Sequence, residues 1–376
     1  MEGARVLVLN ERDLRHPRAG GAEVHIWEVS RRLAAHGFET TVASCSFAGA
    51  PARERVEGVE VLRLGPLPLY YPRALWACRR ETGRGRYDVV VEHLNKLPFL
   101  APLYAAAPVV AVCHHLFGEA AFLQAPWPVA AGVWAAERLI PPCYRDVPFV
   151  AVSESTARDL AARGVRPRWL ELVHNGIRQP ALSPPPPSRR ACRIAYLGRL
   201  EPYKRVDVLL RAAARLVPRH PALELVVIGR GQERERLERL AAELGLAERT
   251  RFAGFVSDDE RDALLGASRV CVCPSAKEGW GITVIEANAL GVPVVASDAP
   301  GLRDAVRDGR TGLLAPFGDV DAFAERIDLL LRDDALVDRL GAEARAWARE
   351  FDWDRAAAAM AACLRRARAE GRARRG

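Results

Sequence analysis

Two carboxylates and two glycines lie close together in one stretch of the chain, Ser275-Ala-Lys-Glu-Gly-Trp-Gly-Ile-Thr-Val-Ile-Glu-Ala-Asn288. An apolar, β-branched run precedes this stretch and predicts a strand, and a helix is expected to begin near Ile282. Gly279 and Gly281 allow the backbone to approach a ligand closely, and the free N–H groups of a helix N-terminus favour phosphate. Glu278 and Glu286 can accept hydrogen bonds from sugar hydroxyls. The stretch therefore predicts a site for a phosphorylated, hydroxyl-rich ligand, and a helix-capping loop with two solvated glutamates is the alternative.

A second candidate is the cationic pair Arg199 and Lys204, which follows a predicted strand within Gly198-Arg-Leu-Glu-Pro-Tyr-Lys204. Arginine can bind two phosphate oxygens with its planar fork, whereas lysine acts as a compact point charge. The chain uses lysine at only three positions, Lys96, Lys204 and Lys277, among 55 basic residues. A lysine in this stretch therefore stands out, and we expect the pair to bind phosphate. A solvated charged face is the alternative.

In the first half of the chain, Gly20-Gly21 precedes a predicted helix and forms a second N-terminus able to bind an anion. A plain tight turn would also use two glycines. His114 follows the predicted strand Val109–Cys113, so it lies at the carboxyl end of that strand. Histidine suits hydrogen bonding to a ligand near neutral pH. His115 is the neighbouring alternative.

The spacing of Glu278 and Glu286, with seven residues between them, resembles the signature of retaining glycosyltransferases of the GT-B fold, family four. Further segments resemble that family in its order along the chain, and the resemblance covers about residues 4–350. These segments are Gly20-Gly21-Ala22-Glu23, His114, Val173-His-Asn-Gly-Ile177, Gly198-Arg-Leu-Glu-Pro-Tyr-Lys204, Ser297-Asp-Ala-Pro-Gly301 and Asp308-Gly-Arg-Thr-Gly-Leu313. The chain departs from the family at Trp280, where Phe is more frequent, and at Arg230, where an acidic residue is usual.

The resemblance implies transfer of a hexose-type sugar from a UDP- or GDP-sugar to an acceptor hydroxyl, with retention of anomeric configuration. A phosphate oxygen of the donor would help to deprotonate the acceptor. Arg199 and Lys204 would hold the diphosphate, Glu278 the donor sugar, Glu286 the ribose, and His114 the sugar or the acceptor. The catalytic set is then His114, Arg199, Lys204 and Glu278. The resemblance places the donor against these further residues: Gly20, Gly21, Gly279, Trp280, Gly281, Ile282 and Glu286, with His115, Asn175, Gly229, Phe255 and Val256 as additional candidates.

No metal or cofactor is expected, because the nucleotide sugar is itself a substrate. Two Asp-x-Asp matches, Asp319-Val-Asp321 and Asp352-Trp-Asp354, resemble the metal–diphosphate motif of the other large glycosyltransferase fold. Both precede predicted helices, where Asp is a common N-cap, and we interpret them as caps. The eight cysteines form no CxxC pair and are expected to pack in cores within a reducing compartment.

Short β-branched runs alternate with amphipathic segments along the whole chain, which is typical of parallel sheets covered by helices. The predicted fold is α/β of the GT-B type, with two doubly wound Rossmann-like parallel-sheet domains facing across a cleft. We expect an N-terminal acceptor domain over residues 1–182 and a Pro-rich linker over 183–188. A donor domain over 189–350 and a C-terminal helix with a basic tail over 351–376 follow.

The net charge of +8 is concentrated at the end of the chain, where Arg355–Gly376 contains seven Arg and one Glu. Because the excess lies in this segment, a nucleic-acid-binding domain is not expected. The apolar segment Phe117–Ile140 predicts either buried core or a surface for an acceptor or a membrane. Leu97–Cys113 is broken by prolines and predicts a helix, a turn and a strand. No secretory signal is recognised, so we expect a cytoplasmic protein with peripheral contact to an anionic membrane surface.

The acceptor is left open as a small molecule, a glycan or a lipid-linked molecule. One rival function keeps the fold and makes the protein a nucleotide-sugar epimerase or hydrolase, which would consume donor without an acceptor. Another makes it a non-enzymatic basic binding protein that acts through its arginine-rich end.

Overall fold

The computed structural model describes residues 3–95, 97–118, 122 and 126–373. Its contacts divide the chain into two compact units. Unit 1 contains the residues up to Gly176 together with those from Trp353 onward, and unit 2 runs from Ile177 to Asp352. The chain therefore leaves unit 1 once and returns to it.

Unit 1 is built on an eight-stranded sheet, counted over the described residues, in the order β3-β4-β2-β1-β5-β6-β7-β8. All neighbouring strands are parallel except β3 and β4, which form an antiparallel edge pair. Strand β6 is a continuous apolar run and β1 is apolar from Val6 to Leu9, as expected for a sheet covered on both faces. The strands are β1 (Ala4–Leu9), β2 (Phe38–Ser44), β3 (Arg53–Val56), β4 (Val59–Arg63), β5 (Val89–Leu94), β6 (Val109–Cys113), β7 (Phe149–Ala151) and β8 (Leu170–Leu172).

Among the described residues of the first segment of unit 1, five α-helices follow the strands. They are α1 (Gly21–Leu33), α2 (Leu67–Gly83), α3 (Trp127–Glu137), α4 (Ile140–Cys143) and α5 (Glu154–Ala162). No helix in the described part of the chain is both long and apolar enough to cross a bilayer. The apolar segment predicted at Phe117–Ile140 is described except for residues 119–121 and 123–125, which lie outside the described part.

Unit 2 contains a parallel sheet of six described strands in the order β11-β10-β9-β12-β13-β14. The order reverses between β9 and β12, and ligands of such sheets bind beyond the carboxyl ends of the strands at this point. The strands are β9 (Arg193–Leu197), β10 (Glu224–Ile228), β11 (Thr250–Gly254), β12 (Val270–Cys273), β13 (Val294–Ser297) and β14 (Gly312–Ala315). The helices are α6 (Val206–Leu216), α7 (Arg234–Glu243), α8 (Asp258–Gly266), α9 (Ile282–Ala289), α10 (Leu302–Ala305), α11 (Val320–Arg332) and α12 (Asp334–Ala348).

The last helix, α13 (Trp353–Ala373), belongs to unit 1 and packs against α1. It buries an apolar stripe that includes Trp353, Met360 and Leu364 in the core shared with β1 and β5. Its charged residues also pair with unit 1, since Arg368 lies 3.1 Å from Asp88 and Glu370 lies 3.2 Å from Arg168. The described end of the chain is therefore a packed helix as far as residue 373, within the segment where a C-terminal helix and a basic tail were expected.

The Pro-rich stretch 183–188 is attached to unit 2. Arg190 donates to the Pro185 carbonyl at 2.8 Å, and Arg345 donates to the Pro184 carbonyl at 3.3 Å. Ser188 donates to Asp338 through both its backbone N–H and its hydroxyl. The division between the units consequently lies at 176/177, upstream of the linker position expected from the prolines.

Candidate functional site

Two glycine-containing turns pack against each other at the carboxyl ends of β9 and β10. Gly229 has φ +134°, and a Cβ there would lie 1.9 Å from the Gly198 carbonyl oxygen. No side chain fits in that space, so glycine is required at position 229. Leu200 N–H donates to the Arg230 carbonyl at 3.0 Å and joins the two turns. Gly229 therefore shapes the backbone that carries Arg199.

Arg199 is exposed at the end of β9, and its position is set by two tyrosines. Its Nη2 donates to the Tyr203 hydroxyl at 2.9 Å, and the Tyr196 hydroxyl donates to its carbonyl oxygen at 2.9 Å. These contacts hold the backbone and the guanidinium while leaving the cation open to a ligand. Sequence reasoning did not include Tyr203, which lies next to Lys204.

Lys204 ends a short 3₁₀ turn, Pro202–Lys204, and is buried, with 8% of its surface exposed. Its Nζ lies 2.5 Å from Oε1 of Glu278. Burial alone would lower the pKa of Lys204, but the Glu278 carboxylate and Tyr203 outweigh it and raise the pKa above the ordinary value. Two predicted site residues 74 positions apart are thus brought together as a charged pair.

The loop that carries Glu278 is held by backbone contacts on both sides. Ala276 N–H donates to the Tyr203 carbonyl at 2.9 Å, and Glu278 N–H donates to the Pro300 carbonyl at 3.1 Å. Gly301 has φ +80°, and a Cβ there would lie 2.2 Å from the Glu278 carbonyl oxygen. Gly301 therefore permits the close approach that fixes Glu278.

Past Gly279, the loop leads directly into α9. Gly281, at φ +85°, is the N-cap of the helix, so Ile282 opens it with free N–H groups as predicted. The Trp280 side chain is buried against Phe351, with ring centroids 5.0 Å apart. Trp280 therefore packs in the core of unit 2 and positions the glycines on either side of it.

Glu286 lies on α9 and pairs with a residue that sequence reasoning missed. Its Oε1 lies 3.0 Å from Nη1 of Arg261, on α8. Burial raises the pKa of Glu286 to about 7, although Arg261 opposes the shift. No motif marks Arg261, because it meets Glu286 only when two separate helices fold side by side.

Phe255 and Val256 follow β11, beside the turn that follows β10. Phe255 is 77% exposed, and the Arg230 guanidinium carbon lies 5.0 Å from the centroid of its ring. An exposed aromatic ring beside an arginine presents a flat surface at the carboxyl end of the sheet.

In unit 1, Gly20 is the N-cap of α1, and its N–H donates to Glu23 at 2.7 Å. The side-chain Nδ2 of Asn10 donates to Glu23 at 3.5 Å, and Oδ1 of Asn10 accepts from Nδ2 of Asn95 at 2.6 Å. Side chains from α1 and from the loops after β1 and β5 thus hold the Gly20-Gly21 turn. Gly20 has an extended backbone, which residues other than glycine can also adopt.

His114 is buried in a cluster of three histidines of unit 1. Its Nε2 lies 3.0 Å from Nδ1 of His93, and the His25 ring centroid is 4.9 Å from its own. Burial lowers the pKa of His25 to about 4 and lowers the pKa of both His93 and His114 well below the ordinary value. All three are therefore neutral at pH 7. Asn175 interacts with His25 and belongs to the same cluster.

His115, the neighbouring candidate, is half-buried and contacts Phe117, with ring centroids 4.8 Å apart. Sequence reasoning included neither His25 nor His93. They come from α1 and β5, and only the folded sheet brings them to the end of β6.

The first Asp-x-Asp match is a helix cap, as predicted, because the Asp319 carboxylate accepts from Ala322 N–H at 3.0 Å. In the second match, Asp354 pairs with Arg32 at 2.6 Å. Within the described residues, no group of His, Cys, Asp or Glu is arranged to hold a metal ion.

Unit 2 therefore gathers Arg199, Lys204 and Glu278 at the carboxyl ends of β9 and β12, which are adjacent strands. Glu286 lies on the helix that follows. Cations suited to phosphate and carboxylates suited to hydroxyls occupy one end of one sheet. His114 and Gly20-Gly21 occupy the carboxyl ends of strands in unit 1.

Comparisons with known proteins identify relatives of this chain. Residues 188–347 match the family described as glycosyl transferases group 1, and residues 19–179 match glycosyltransferase family 4. The chain is 32% identical to a D-inositol 3-phosphate glycosyltransferase of Streptomyces bingchenggensis, over 91% of this chain and 84% of that protein. A protein of the same name from Kribbella flavida is also 32% identical, over 93% and 91%.

Two solved structures show the same fold. A sucrose-phosphate synthase from Thermosynechococcus elongatus has a TM-score of 0.81 at 23% identity and covers 96% of this chain and 98% of its own. Anabaena HepE, in complex with UDP and glucose, has a TM-score of 0.75 at 20% identity and covers 96% and 99%.

Proposed function

The chain belongs to the group 1 glycosyl transferases of the GT-B fold, and we propose that it moves a hexose-type sugar from a UDP- or GDP-sugar to an acceptor hydroxyl with retention and without a catalytic metal. The observation that carries the proposal is the Lys204–Glu278 pair beside Arg199. Arg199 and Lys204 suit a diphosphate, and Glu278 suits the hydroxyls of a sugar.

The cations act on the leaving group. As the glycosidic bond breaks, negative charge grows on the departing nucleoside diphosphate. Arg199 and Lys204, already fixed by Tyr203 and Glu278, stabilise that charge more in the transition state than in the bound donor. This is the contribution that a divalent cation makes in metal-dependent transferases, and it supports a metal-independent reaction.

The carboxylates hold the sugars. Glu278 accepts hydrogen bonds from donor-sugar hydroxyls, and Glu286 accepts them from the ribose. The acceptor hydroxyl attacks on the face that the diphosphate is leaving, and a donor phosphate oxygen takes its proton. No protein nucleophile is required, and Glu278 is already engaged by Lys204.

His114 serves as a neutral imidazole in this scheme. Its buried position lowers its pKa, so it exchanges hydrogen bonds with a sugar or acceptor hydroxyl without adding charge. The neighbouring His115 remains the second candidate for this role.

The relatives suggest which substrates to test first. The names of several relatives specify D-inositol 3-phosphate, and HepE was solved with UDP and glucose. We therefore propose a UDP-sugar as the first donor and a phosphorylated polyol as the first acceptor class. Glycan and lipid-linked acceptors complete the panel.

Two assays in sequence test the proposal. Thermal shift with UDP, GDP and ADP identifies the base, since a ligand at 100 times its Kd adds about 2.7 kcal/mol of stability. Transfer from the matching sugar nucleotides to the acceptor panel is then measured against Glu278→Gln. Acceptor-dependent product from the wild type is expected. Donor turnover that is independent of any acceptor would instead indicate an epimerase or hydrolase.

We also propose that unit 1 contacts an anionic membrane surface. Trp76 on α2 and Trp127 on α3 are 59% and 73% exposed, among other exposed apolar residues of the same helices. The Arg80 guanidinium carbon lies 4.7 Å from the centroid of the Trp76 ring, so a cation accompanies the apolar surface. Exposed Trp with Arg suits the boundary between acyl chains and anionic headgroups. A cytoplasmic location agrees with the free thiols of the described cysteines.

Flotation with phosphatidylglycerol vesicles tests the membrane proposal. Binding at low salt that weakens with salt, and weakens in Trp76→Ser, is expected. Absence of binding at low salt would overturn it.

A further inference from the structure

Arg261 sits at the centre of a charged cluster next to the proposed ribose-binding carboxylate. Its guanidinium donates twice to Oδ1 of Asp262, at 3.0 and 2.8 Å, and once to Asp258 at 2.9 Å. The same Nη1 lies 3.0 Å from Oε1 of Glu286. Three carboxylates therefore fix the arginine, and one of them is Glu286.

The two carboxylate oxygens of Glu286 differ in their contacts. Arg261 occupies Oε1, and within the described chain Oε2 has no hydrogen-bond partner. The side chain is 18% exposed, so a ligand can reach it. A carboxylate held at one oxygen and open at the other can present two acceptor lone pairs in a fixed direction.

We propose that Arg261 is a positioning residue that orients Glu286 and keeps a substantial fraction of it ionised at neutral pH, so that Oε2 accepts hydrogen bonds from the ribose hydroxyls of the donor. This inference rests on the proposed function, which assigns Glu286 to the ribose. Arg261 touches neither the sugar nor the diphosphate in this role.

The charges around Glu286 explain why an arginine is needed. From α8, Asp258 and Asp262 raise the pKa of Glu286, while Arg261 and the more distant Arg178 lower it. Cys271 of β12 also faces this carboxylate. Arg178 binds Asp262 at 2.7 Å and neutralises part of the acidic surroundings.

Without Arg261, burial and the two acidic neighbours would still raise the pKa of Glu286, and only Arg178 would lower it. An opposite charge at this distance changes a carboxyl pKa by about 1–3 units. Because the pKa of Glu286 is about 7 with Arg261 in place, Glu286 would be mostly protonated at pH 7 without it. A protonated carboxyl loses acceptor capacity toward hydroxyl donors.

The test measures recognition of a single ribose hydroxyl. Calorimetry compares the Kd of UDP with that of 2′-deoxy-UDP, or of GDP with 2′-deoxy-GDP if guanine is preferred, between pH 6 and pH 9. The wild type is expected to bind the ribonucleotide about 10- to 100-fold more tightly at pH 7, the value of a hydrogen bond to a charged acceptor. Arg261→Gln is expected to reduce this preference to about threefold or less at pH 7 and to regain part of it at pH 9, where a larger fraction of Glu286 is ionised.

Further variants distinguish the effect of Arg261 on the orientation of Glu286 from its effect on the charge of Glu286 and on the stability of the protein. Glu286→Gln is expected to lose the preference at every pH, and Arg261→Gln adds nothing further in that background. Arg261→Lys keeps the charge and is expected to retain an intermediate preference at pH 7. Arg251→Gln removes an exposed pair with Glu260, on the N-terminal side of the same helix, and is the matched control. Circular dichroism verifies folding of each variant.

Two results would overturn the inference. One is an unchanged ribose preference in folded Arg261→Gln, and the other is a reduced preference that does not increase between pH 7 and pH 9. Equal affinity for ribo- and deoxyribonucleotides in the wild type would remove the ribose role of Glu286 itself. Wild-type sugar transfer is measured separately, so a failure of the proposed function is distinguishable from a failure at Arg261.

Discussion

Replacing Lys204 by alanine is expected to lower kcat about 10²- to 10³-fold while the protein remains folded. The substitution removes a buried ammonium that lies 2.5 Å from Glu278 and beside Arg199. A preorganised charged contact to a developing anion contributes roughly 3–4 kcal/mol to the transition state, which corresponds to this factor. The donor KM should change less, because the contact strengthens as the bond breaks.

The same substitution also affects stability through Glu278. Its carboxylate loses its cation but stays 15% exposed at the side chain, so water can reach it. Removing one partner of a buried ion pair costs about 3–5 kcal/mol, and the access of water to Glu278 favours the lower end of that range. A protein of ordinary stability, about 5–15 kcal/mol, stays folded after that loss.

Two further variants distinguish the charge from the packing. Lys204→Met combined with Glu278→Gln replaces the ion pair by neutral groups, so stability should return toward wild type while transfer stays low. Lys204→Arg keeps the charge but places a planar fork in a pocket filled by an ammonium, and its kcat should also fall well below wild type. Arg211→Ala, an exposed site on α6, serves as the control.

Steady-state transfer kinetics with circular dichroism provide the measurement. If folded Lys204→Ala keeps a kcat within about threefold of wild type, Lys204 does not stabilise the leaving group and the diphosphate assignment is wrong.

Four further outcomes are expected. Gly301→Ala should lower kcat/KM for the donor about tenfold or more, because its Cβ would meet the Glu278 carbonyl; Gly309→Ala, with similar φ and open space, should keep wild-type kinetics. The free energy of unfolding in urea should fall by about 2 kcal/mol from His25 alone between pH 7 and pH 5, since the unfolded histidine takes up a proton near pH 6.5 and the buried one only near pH 4; a flat profile would contradict the buried cluster. Ending the chain at Asp352 should lower the calorimetric melting temperature of unit 1 and leave that of unit 2 unchanged, whereas equal shifts would disprove the assignment of α13 to unit 1. Transfer should persist in EDTA, and loss of activity restored by Mg²⁺ would reject the metal-independent scheme.

Local patterns in the sequence predict those parts of the fold that depend on neighbours in the chain. The β-branched runs that became β6 and β12 are buried on both faces, so burial imposes a visible composition. Strand β3, by contrast, is Arg-Glu-Arg-Val, and its polar residues give no such signal at the sheet edge. The sequence predicted a helix at α13 but not its packing, because the residues paired with it, such as Arg168, Asp88 and Arg32, lie 202, 280 and 322 positions from their partners.

In the candidate site too, only contacts between residues that are close in the sequence could be predicted. Glu278, Gly279 and Gly281 share one loop, and their spacing is visible in the sequence. The Lys204–Glu278 contact and the Arg261–Glu286 contact depend on strand order and helix packing, which no local spacing encodes. The histidine cluster was not predictable either, because His25, His93 and His114 come from three separate parts of the chain.

The return of α13 to unit 1 has a consequence for biosynthesis. The strands of unit 1 leave the ribosome before unit 2, yet the helix that covers α1 is translated only after the 176 residues from Ile177 to Asp352. At about 5–20 residues per second, the nascent chain waits roughly 10–35 s with the apolar surface that later receives Trp353, Met360 and Leu364 uncovered. During this interval that surface is a natural site for chaperone binding. Unit 2, whose residues are contiguous, can complete its folding as soon as residue 352 has left the exit tunnel.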